Sequence, residues 1–138
     1  MDGVWEMDTD RSAAAPDFQA ENWGHWIFVF DRGRFADTQE NPHACTWGYG
    51  TFTVSGHRTT WHFIDGGGDA PNNAENKPGE EFAFGLSVFH DTLTLTPVKG
   101  AVSPFNFRIK AWRRISATPS PSHFSRRCPP PPAALGSR

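Results

Sequence analysis

The feature that most constrains the fold of this chain is a series of short apolar segments separated by tight turns. Five stretches are rich in aromatic and β-branched residues, and three of them contain an internal turn signal. Since no helical periodicity extends beyond one or two turns, these consecutive hairpins predict an antiparallel meander of eight strands. The five stretches are residues 3–7, 23–39, 44–65, 81–98 and 106–115, with internal turns at Asp31-Arg32-Gly33, Ser55-Gly56 and His90-Asp91.

Sequential antiparallel strands of this number either close into a barrel or divide into two packed sheets. We predict an all-β fold in which residues 1–115 form an up-and-down antiparallel eight-stranded barrel, because a closed sheet leaves no exposed edge. A barrel of this size is wide enough to hold one small ligand. A β-sandwich, in which Trp5 is an ordinary core residue, is the alternative.

The composition changes abruptly after Ile115. Residues 116–138 contain four consecutive prolines at 129–132 and few apolar side chains, a composition typical of a disordered Pro/Ser-rich tail. A polyproline segment that binds an aromatic groove of a partner is the alternative. The chain has two cysteines, Cys45 and Cys128, too few for a disulfide framework. Because Cys128 lies in this tail, we expect Cys45 to be buried and reduced, although a bridge between the two is possible.

Charge is divided unevenly along the chain, but its sum is small. All fifteen Asp and Glu residues lie within residues 1–91, and eight of the thirteen Lys and Arg residues lie after position 91, giving a formal net charge of −2. We interpret this as acidic loops and a basic last strand that neutralise each other. A nucleic-acid partner is not expected, because the chain is slightly acidic and most aromatic residues do not alternate with basic ones.

Signals for membrane insertion and for secretion are both missing from the sequence. No run of eighteen apolar residues occurs, so no membrane span is expected. The first residues lack the basic and apolar regions of a secretory signal. As written, the chain is therefore expected to be cytoplasmic, and extracellular if its natural N-terminus lies further upstream.

Two short motifs at opposite ends of the predicted barrel resemble those of lipocalins and the wider calycin superfamily. Gly3-Val4-Trp5 resembles the Gly-x-Trp signature of their first strand, and AWRRI at 111–115 resembles the basic residue on or just after their last strand. The stretches NWGHWIFVFDRGRF and CTWGYGTFTVSG are similar to those of bacterial lipocalin-like domains. This chain departs from the family in lacking a recognisable C-terminal helix on the barrel and the usual disulfide.

The resemblance implies a particular closure of the barrel. In that family an arginine of the last strand lies across the tryptophan of the first strand at the bottom of the barrel. Carried over to this chain, Gly3, Trp5 and Arg114 form a structural plug. Arg114 or Arg113 would place its guanidinium on the Trp5 ring in a cation–π contact, which would also bring the first and last strands together.

Aromatic side chains recur along the predicted strands and supply the candidate ligand site. The chain contains twelve Phe and six Trp, and alternate residues on a strand share a face, so we predict an apolar lumen lined by rings. On the second strand both faces are apolar, since Ile27 and Val29 alternate with the rings. An apolar outer face indicates packing against a partner domain or a second subunit. The predicted lining residues are Trp26, Phe28, Trp47, Tyr49, Trp61, Phe63, Phe82, Phe84 and Leu86.

Catalytic and metal-binding motifs are not evident in the sequence. The histidines lack the spacing of metal ligands, and no Ser-His-Asp order, nucleophile elbow or phosphate loop occurs. We accordingly name no catalytic residue, no metal and no cofactor. We expect binding rather than catalysis, with a small apolar or aromatic ligand held in the lumen of a carrier or sensor.

Two other functions stay open at this point. One is a lipocalin-like cyclase of natural-product biosynthesis, which needs only shape and the exclusion of water. The other is an accessory domain of a larger bacterial transport or surface protein. A homodimer, or contact with the other domains of a parent protein, is the macromolecular partnership that the apolar outer face suggests.

Overall fold

The computed structural model describes residues 1–8, 24–69, 78–98 and 111–136 of the chain. Within these residues eight strands form a closed barrel in which each strand is antiparallel to the next and β8 returns to pair with β1. The predicted fold class, an all-β up-and-down barrel, is therefore confirmed. The strands are β1 (Gly3–Met7), β2 (His25–Asp31), β3 (Arg34–Glu40), β4 (Cys45–Ser55), β5 (Arg58–Gly68), β6 (Glu81–Phe89), β7 (Thr92–Pro97) and β8 (Ala111–Ser116).

Tight turns and longer connections lie at opposite ends of the barrel. Short turns join β2 to β3, β4 to β5 and β6 to β7 at one end, here called the turn end, and they fall at the predicted positions. Gly33 and Gly56 have φ of 81° and 59° there, and His90 has φ of 52°, the left-handed conformation that such turns require. The β1–β2, β3–β4, β5–β6 and β7–β8 connections leave and re-enter the barrel at its other end, the loop end. Parts of them, including residues 106–110 of the predicted last strand, lie outside the described residues.

The barrel is filled by aromatic side chains on the inner faces of its strands. Alternation along each strand turns every second side chain inward, and the apolar inward residues form one continuous cluster. Phe28, for example, stacks on Phe30 with ring centroids 5.5 Å apart and meets Trp61 edge-on at 5.3 Å. Such pairs stabilise the fold beyond the apolar area that they bury. The buried members of the cluster are Trp5, Met7, Trp26, Phe28, Phe30, Phe35, Phe52, Trp61, Phe63, Phe82, Phe84, Leu93, Leu95 and Trp112.

Trp5 closes the barrel toward the turn end. Its side chain is fully buried, its Nε1 donates a hydrogen bond to the carbonyl oxygen of Met1 at 2.9 Å, and it pairs with Arg114 across β1 and β8. The Arg114 Cζ lies 4.6 Å from the centroid of the Trp5 ring, so the cation–π contact that the resemblance implied is present. At Gly3, φ is 137° and a Cβ would lie 2.6 Å from the Ser116 carbonyl oxygen. Glycine is therefore needed where β8 ends beside β1.

The chain after β8 packs along the outer face of the barrel as a segment here called the C-terminal strap (residues 117–136). Its Phe124 and Leu135 pack against a second apolar cluster, on the outer face of β1 and β2. This arrangement differs from the disordered tail that the composition predicted, because the few apolar residues of the strap match an apolar surface on the neighbouring strands. The strap contains 3₁₀ helices at Pro121–His123 and Pro132–Leu135, and the outer cluster consists of Val4, Ile27 and Val29.

Hydrogen bonds and a disulfide fasten the strap to β3 and β4. The Ser125 N–H donates to Thr38 Oγ1 at 3.0 Å, and the Ser125 hydroxyl donates to Glu40 Oε2 at 2.9 Å. Cys128 forms a disulfide with Cys45, so the expectation of a reduced Cys45 is wrong. Within the described residues, the apolar outer face of β2 is thus covered by this chain itself.

Candidate ligand site in the barrel

A cavity lies inside the barrel, in the half nearer the loop end. Nine of its ten described lining residues are apolar, and the tenth is Asp37. About 40 Å³ is open to the centre of a water-sized molecule, within about 540 Å³ of free space that reaches solvent. By the first measure the cavity has room for about three waters, since each needs roughly 10–15 Å³. The lining residues are Trp26, Phe28, Phe35, Asp37, Trp61, Phe63, Phe82, Phe84, Leu95 and Trp112.

One wall of the cavity is built by rings from β2 and β8. Strand alternation turns both Trp26 and Phe28 inward from β2, and Trp112 turns inward from β8. Trp112 meets the other two rings edge-on, at centroid distances of 5.3 Å from Trp26 and 4.9 Å from Phe28. Edge-to-face contacts of this kind hold the rings in defined orientations, so this wall is preorganised.

Asp37 on β3 places a carboxyl group in the apolar wall. Trp26 Nε1 donates a hydrogen bond to Asp37 Oδ2 at 2.9 Å, and the backbone N–H of Gly48, its cross-strand neighbour on β4, donates a second. Part of the side chain borders the cavity and is accessible to a water-sized molecule, while rings and strands surround the remainder. Burial raises the pKa of Asp37 to about 7, against the opposing effect of the two hydrogen bonds. Near neutral pH the carboxyl group is therefore present in both protonated and ionised forms.

Glycines on β4 and β5 make room beside Asp37. A Cβ on Gly48 would lie 2.9 Å from Asp37 Oδ1 and 2.9 Å from Phe63 Cε2. Gly66 pairs with Gly48 across the two strands, and a Cβ there would lie 2.8 Å from Phe63 Cζ. The glycine pair therefore lets the Phe63 ring approach the backbone of the wall next to the carboxyl group.

Trp112 lines the cavity and also contains a buried hydrogen-bond donor. Its Nε1 is buried and has no hydrogen-bond partner among the described residues. The indole of Trp61, by contrast, donates to Thr59 Oγ1 at 3.0 Å. Since buried donors are normally satisfied, this indole is an exception among the described tryptophans of the inner cluster.

Six of the nine predicted lining residues meet at the cavity, and the other three do not. Leu86 packs on the edge of the inner cluster, but it borders a shallow depression at the turn end together with Met1 and Val88. The six residues that the structure brings together are Trp26, Phe28, Trp61, Phe63, Phe82 and Phe84.

Trp47 and Tyr49 lie on the outer face of β4, with their rings stacked at 6.0 Å, and not in the lumen. The inner positions of this strand are Gly48, Gly50 and Phe52, which follow regular alternation. The register shift opposite Tyr49 and Gly50 places the extra residue on β5, so it does not exchange the faces of β4. The prediction for Trp47 and Tyr49 was wrong because β4 has its aromatic side chains on the outer face and glycines on the inner face.

Four residues of the cavity were not predicted, and Asp37 is the most informative of them. Its signal was present in the predicted hairpin around Gly33, where alternation places it on the same face as Phe35. In the structure it pairs with Phe28 on β2, which was a predicted lining residue. The full set of missed residues is Phe35, Asp37, Leu95 and Trp112.

The described residues contain neither a cluster of metal ligands nor a helix able to span a membrane. No group of three or more His, Cys, Asp or Glu side chains is arranged there to hold a metal ion. In the same part of the chain, no helix has the length and apolar character needed to cross a membrane. The charged group that the described lining of the cavity offers to a ligand is the Asp37 carboxyl group.

Comparisons with known proteins found no relative of this chain. No family model, no curated protein and no solved structure matches the chain. The closed barrel is compatible with a lipocalin-like fold, and its buried aromatic residues are compatible with ligand binding.

Proposed function

We propose that this barrel binds a small apolar or aromatic ligand in its lumen, as a lipocalin-like carrier or sensor. The observation that carries the proposal is the ring-lined cavity with the carboxyl group of Asp37 in its wall. Apolar side chains supply burial and a few polar groups fix orientation, which is the usual composition of a small-molecule site. A barrel filled only for stability gains nothing from a carboxyl group, whose burial costs free energy.

Three features support the lipocalin-like assignment. The strands follow one another around the barrel in sequence order, as in an up-and-down barrel. The first strand carries Gly3 and Trp5 in the Gly-x-Trp pattern, and Arg114 of the last strand lies over the Trp5 ring. Trp5 and Arg114 do not line the cavity, so the plug leaves the cavity free for a ligand.

The volume of the cavity limits what enters without rearrangement. Space for about three waters is far below the roughly 150 Å³ of a cavity that holds benzene. A group of a few heavy atoms fits with the side chains as they stand. A larger apolar body requires rotation of rings near the loop end, where Phe82 and Trp112 lie early in β6 and β8.

Native mass spectrometry of the full chain, with an organic extract analysed in parallel, tests the proposal. We expect an apolar molecule that co-purifies, is released on denaturation and quenches tryptophan fluorescence when added back. Leu95→Phe, which adds volume to the lining, should weaken this binding at least about tenfold. Ile64→Phe, on an exposed side chain, is the matched control and should bind normally. Equal binding by Leu95→Phe, or no quenching by any apolar molecule, would contradict a ligand site in the lumen.

A second candidate function is proton-transfer catalysis, and Asp37 is the observation that favours it. A carboxyl group with a pKa near 7 in a ring-lined cavity can act as a general acid at neutral pH. A lipocalin-like cyclase would use such proton transfer in addition to the shape of its site and the exclusion of water. Chromatography and NMR of the ligand after incubation with the protein distinguish the two functions, because a carrier returns the ligand unchanged and a cyclase returns an isomer of equal mass.

We also propose that the chain works in an oxidising compartment, the extracellular alternative given for its location. The support is the disulfide between Cys45 and Cys128, since such bonds persist outside the cytosol and are rare within it. The mass of the protein taken from its own cells and alkylated before reduction tests this, because thiols take up alkyl groups and a disulfide does not.

A further inference from the structure

The Asp37 carboxyl group has hydrogen-bond donors in the barrel but no positive partner among the described lining residues. Its two donors, Trp26 Nε1 and the Gly48 backbone N–H, are neutral. The other nine lining residues are apolar. Burial of an ionised carboxylate is unfavourable unless a positive charge accompanies it, so this site is incomplete for the ionised form.

Charged side chains on the surrounding strands do not line the cavity, although the buried Arg114 Nε has no hydrogen-bond partner among the described residues. Arg113 of β8 donates to Glu6 of β1 at 2.8 Å on the outer face, and Arg114 lies over Trp5 toward the turn end. On β7 the described residues carry no charged side chain, and β4 supplies none between Cys45 and Ser55. The remaining titratable side chains on β2, β3, β5 and β6 near the loop end, none of which lines the cavity, are His25, Glu40, His62, Asp65 and Glu81.

We propose that Asp37 anchors a protonated organic amine, with the ammonium group on its carboxylate and the apolar body of the ligand among the surrounding rings. This inference rests on the proposed function and names the ligand class of the same cavity. An anionic ligand is disfavoured, because the described wall offers no cation and the carboxylate repels it.

Three properties of the site match an ammonium group. A carboxylate has about four acceptor positions, of which the two donors use two, so acceptor capacity remains for the ligand. The faces of indole and phenyl rings attract cations, and Trp26, Trp61 and Trp112 all line the cavity. The space of about 40 Å³ accepts a head group of one or a few heavy atoms.

The affinity for such an amine depends on pH because the Asp37 carboxyl group must be ionised to bind the ammonium group. The ammonium group pairs with the ionised carboxylate and not with the protonated form. Because the pKa of Asp37 is about 7, the ionised fraction rises about tenfold between pH 6 and pH 8. The affinity for an amine that stays protonated over this range should rise by about the same factor.

Calorimetric titration of the full chain with matched pairs of probes tests the inference. The probes are 1-butylamine against 1-butanol, and benzylamine against benzyl alcohol, so each amine is compared with a neutral molecule of similar shape. The indole N–H resonance of Trp26 reports whether a probe reaches the Asp37 hydrogen bond. The variants are Asp37→Asn and, as a matched control, Asp65→Asn, the same change at an exposed carboxylate.

We expect an amine to bind more tightly than its alcohol, with about tenfold higher affinity at pH 8 than at pH 6 and a shift of the Trp26 resonance. Asp37→Asn should lose at least about tenfold in amine affinity and keep its alcohol affinity, and Asp65→Asn should match the unmodified protein. The pH series needs no variant, so the inference stays testable if Asp37→Asn folds poorly.

Four results overturn the inference, and they separate it from the proposed function. If an alcohol binds as tightly as its amine, or amine affinity is independent of pH, the lumen takes ligands but Asp37 is not an ammonium anchor. Tighter alcohol binding at pH 6 than at pH 8 would show that the protonated carboxyl group donates to the ligand instead. If neither member of either pair binds or shifts the Trp26 resonance, both the inference and the proposed function fail.

Discussion

Asp37 couples the stability of the barrel to pH through the difference between its folded and unfolded pKa values. The carboxyl group ionises near its ordinary value of 3.8 in the unfolded chain and near 7 in the fold. Between these values the fold retains a proton that the unfolded chain has released, so stability falls as pH rises from about 4 to about 7. At about 1.4 kcal/mol per pH unit, the loss over this range is at most about 4 kcal/mol, and access of water from the cavity reduces it.

Asp37→Asn should remove this pH-dependent penalty. Asn can still accept from Trp26 Nε1 through its amide oxygen and carries no charge to desolvate. Relative to the unmodified protein, we expect the variant to gain about 2 kcal/mol more unfolding free energy at pH 8 than at pH 5. Urea unfolding at both pH values measures the difference, with Asp65→Asn as the exposed control. Parallel pH dependence of Asp37→Asn and the unmodified protein would show that the carboxyl group is not perturbed by burial.

At the scale of the element, turns could be predicted from the sequence and the faces of β4 could not. Gly33 and Gly56 identify the hairpins because each has the positive φ that a tight turn requires. On β4 the larger side chains of Trp47 and Tyr49 face outward, and glycine occupies the inner positions beside the cavity. Glycine has no side chain from which a hydropathy pattern can assign a face, and the space it leaves is filled by residues of other strands. Long-range pairing of this kind is set by the register of the barrel and not by the local sequence.

Gly48→Ala should therefore disturb the cavity through contact and not through backbone strain. The added Cβ would lie 2.9 Å from both Asp37 Oδ1 and Phe63 Cε2, so the carboxyl group and the ring must move. We expect a loss of about 1–3 kcal/mol in unfolding free energy, the usual cost of overpacking. Gly85→Ala is the matched control, because its Cβ would lie at least 3.5 Å from its neighbours on another strand. Equal stability of the two variants in urea would mean that the wall adjusts freely around Gly48.

At the scale of the whole molecule, the closed barrel was predictable and the strap over it was not. Eight strands in sequential hairpins, with motifs at the first and last that resemble a barrel plug, are local features of the sequence. The strap has low apolar content, and its fold depends on Phe124 and Leu135 meeting the outer cluster formed by distant strands. Two signals were available, the apolar outer positions Ile27 and Val29 and the presence of a second cysteine. The strap covers the outer cluster to which Ile27 and Val29 belong, and its cysteine forms the disulfide with Cys45.

The disulfide of the strap should contribute to the stability of the whole barrel. It joins Cys45 to Cys128 across 83 positions of sequence and so restricts the unfolded chain, an effect typically worth about 2–4 kcal/mol. Cys128→Ser should lose about this much unfolding free energy with little change in packing, because Cys128 is half-buried and Cys45, fully buried in β4, is left in place. Urea unfolding with and without reductant provides the internal control, since reductant should destabilise the unmodified protein to the level of Cys128→Ser and leave the variant unchanged. If the unmodified protein is as stable with reductant as without it, the hydrophobic contacts of the strap are sufficient to hold it, and the bond adds no stability to the fold.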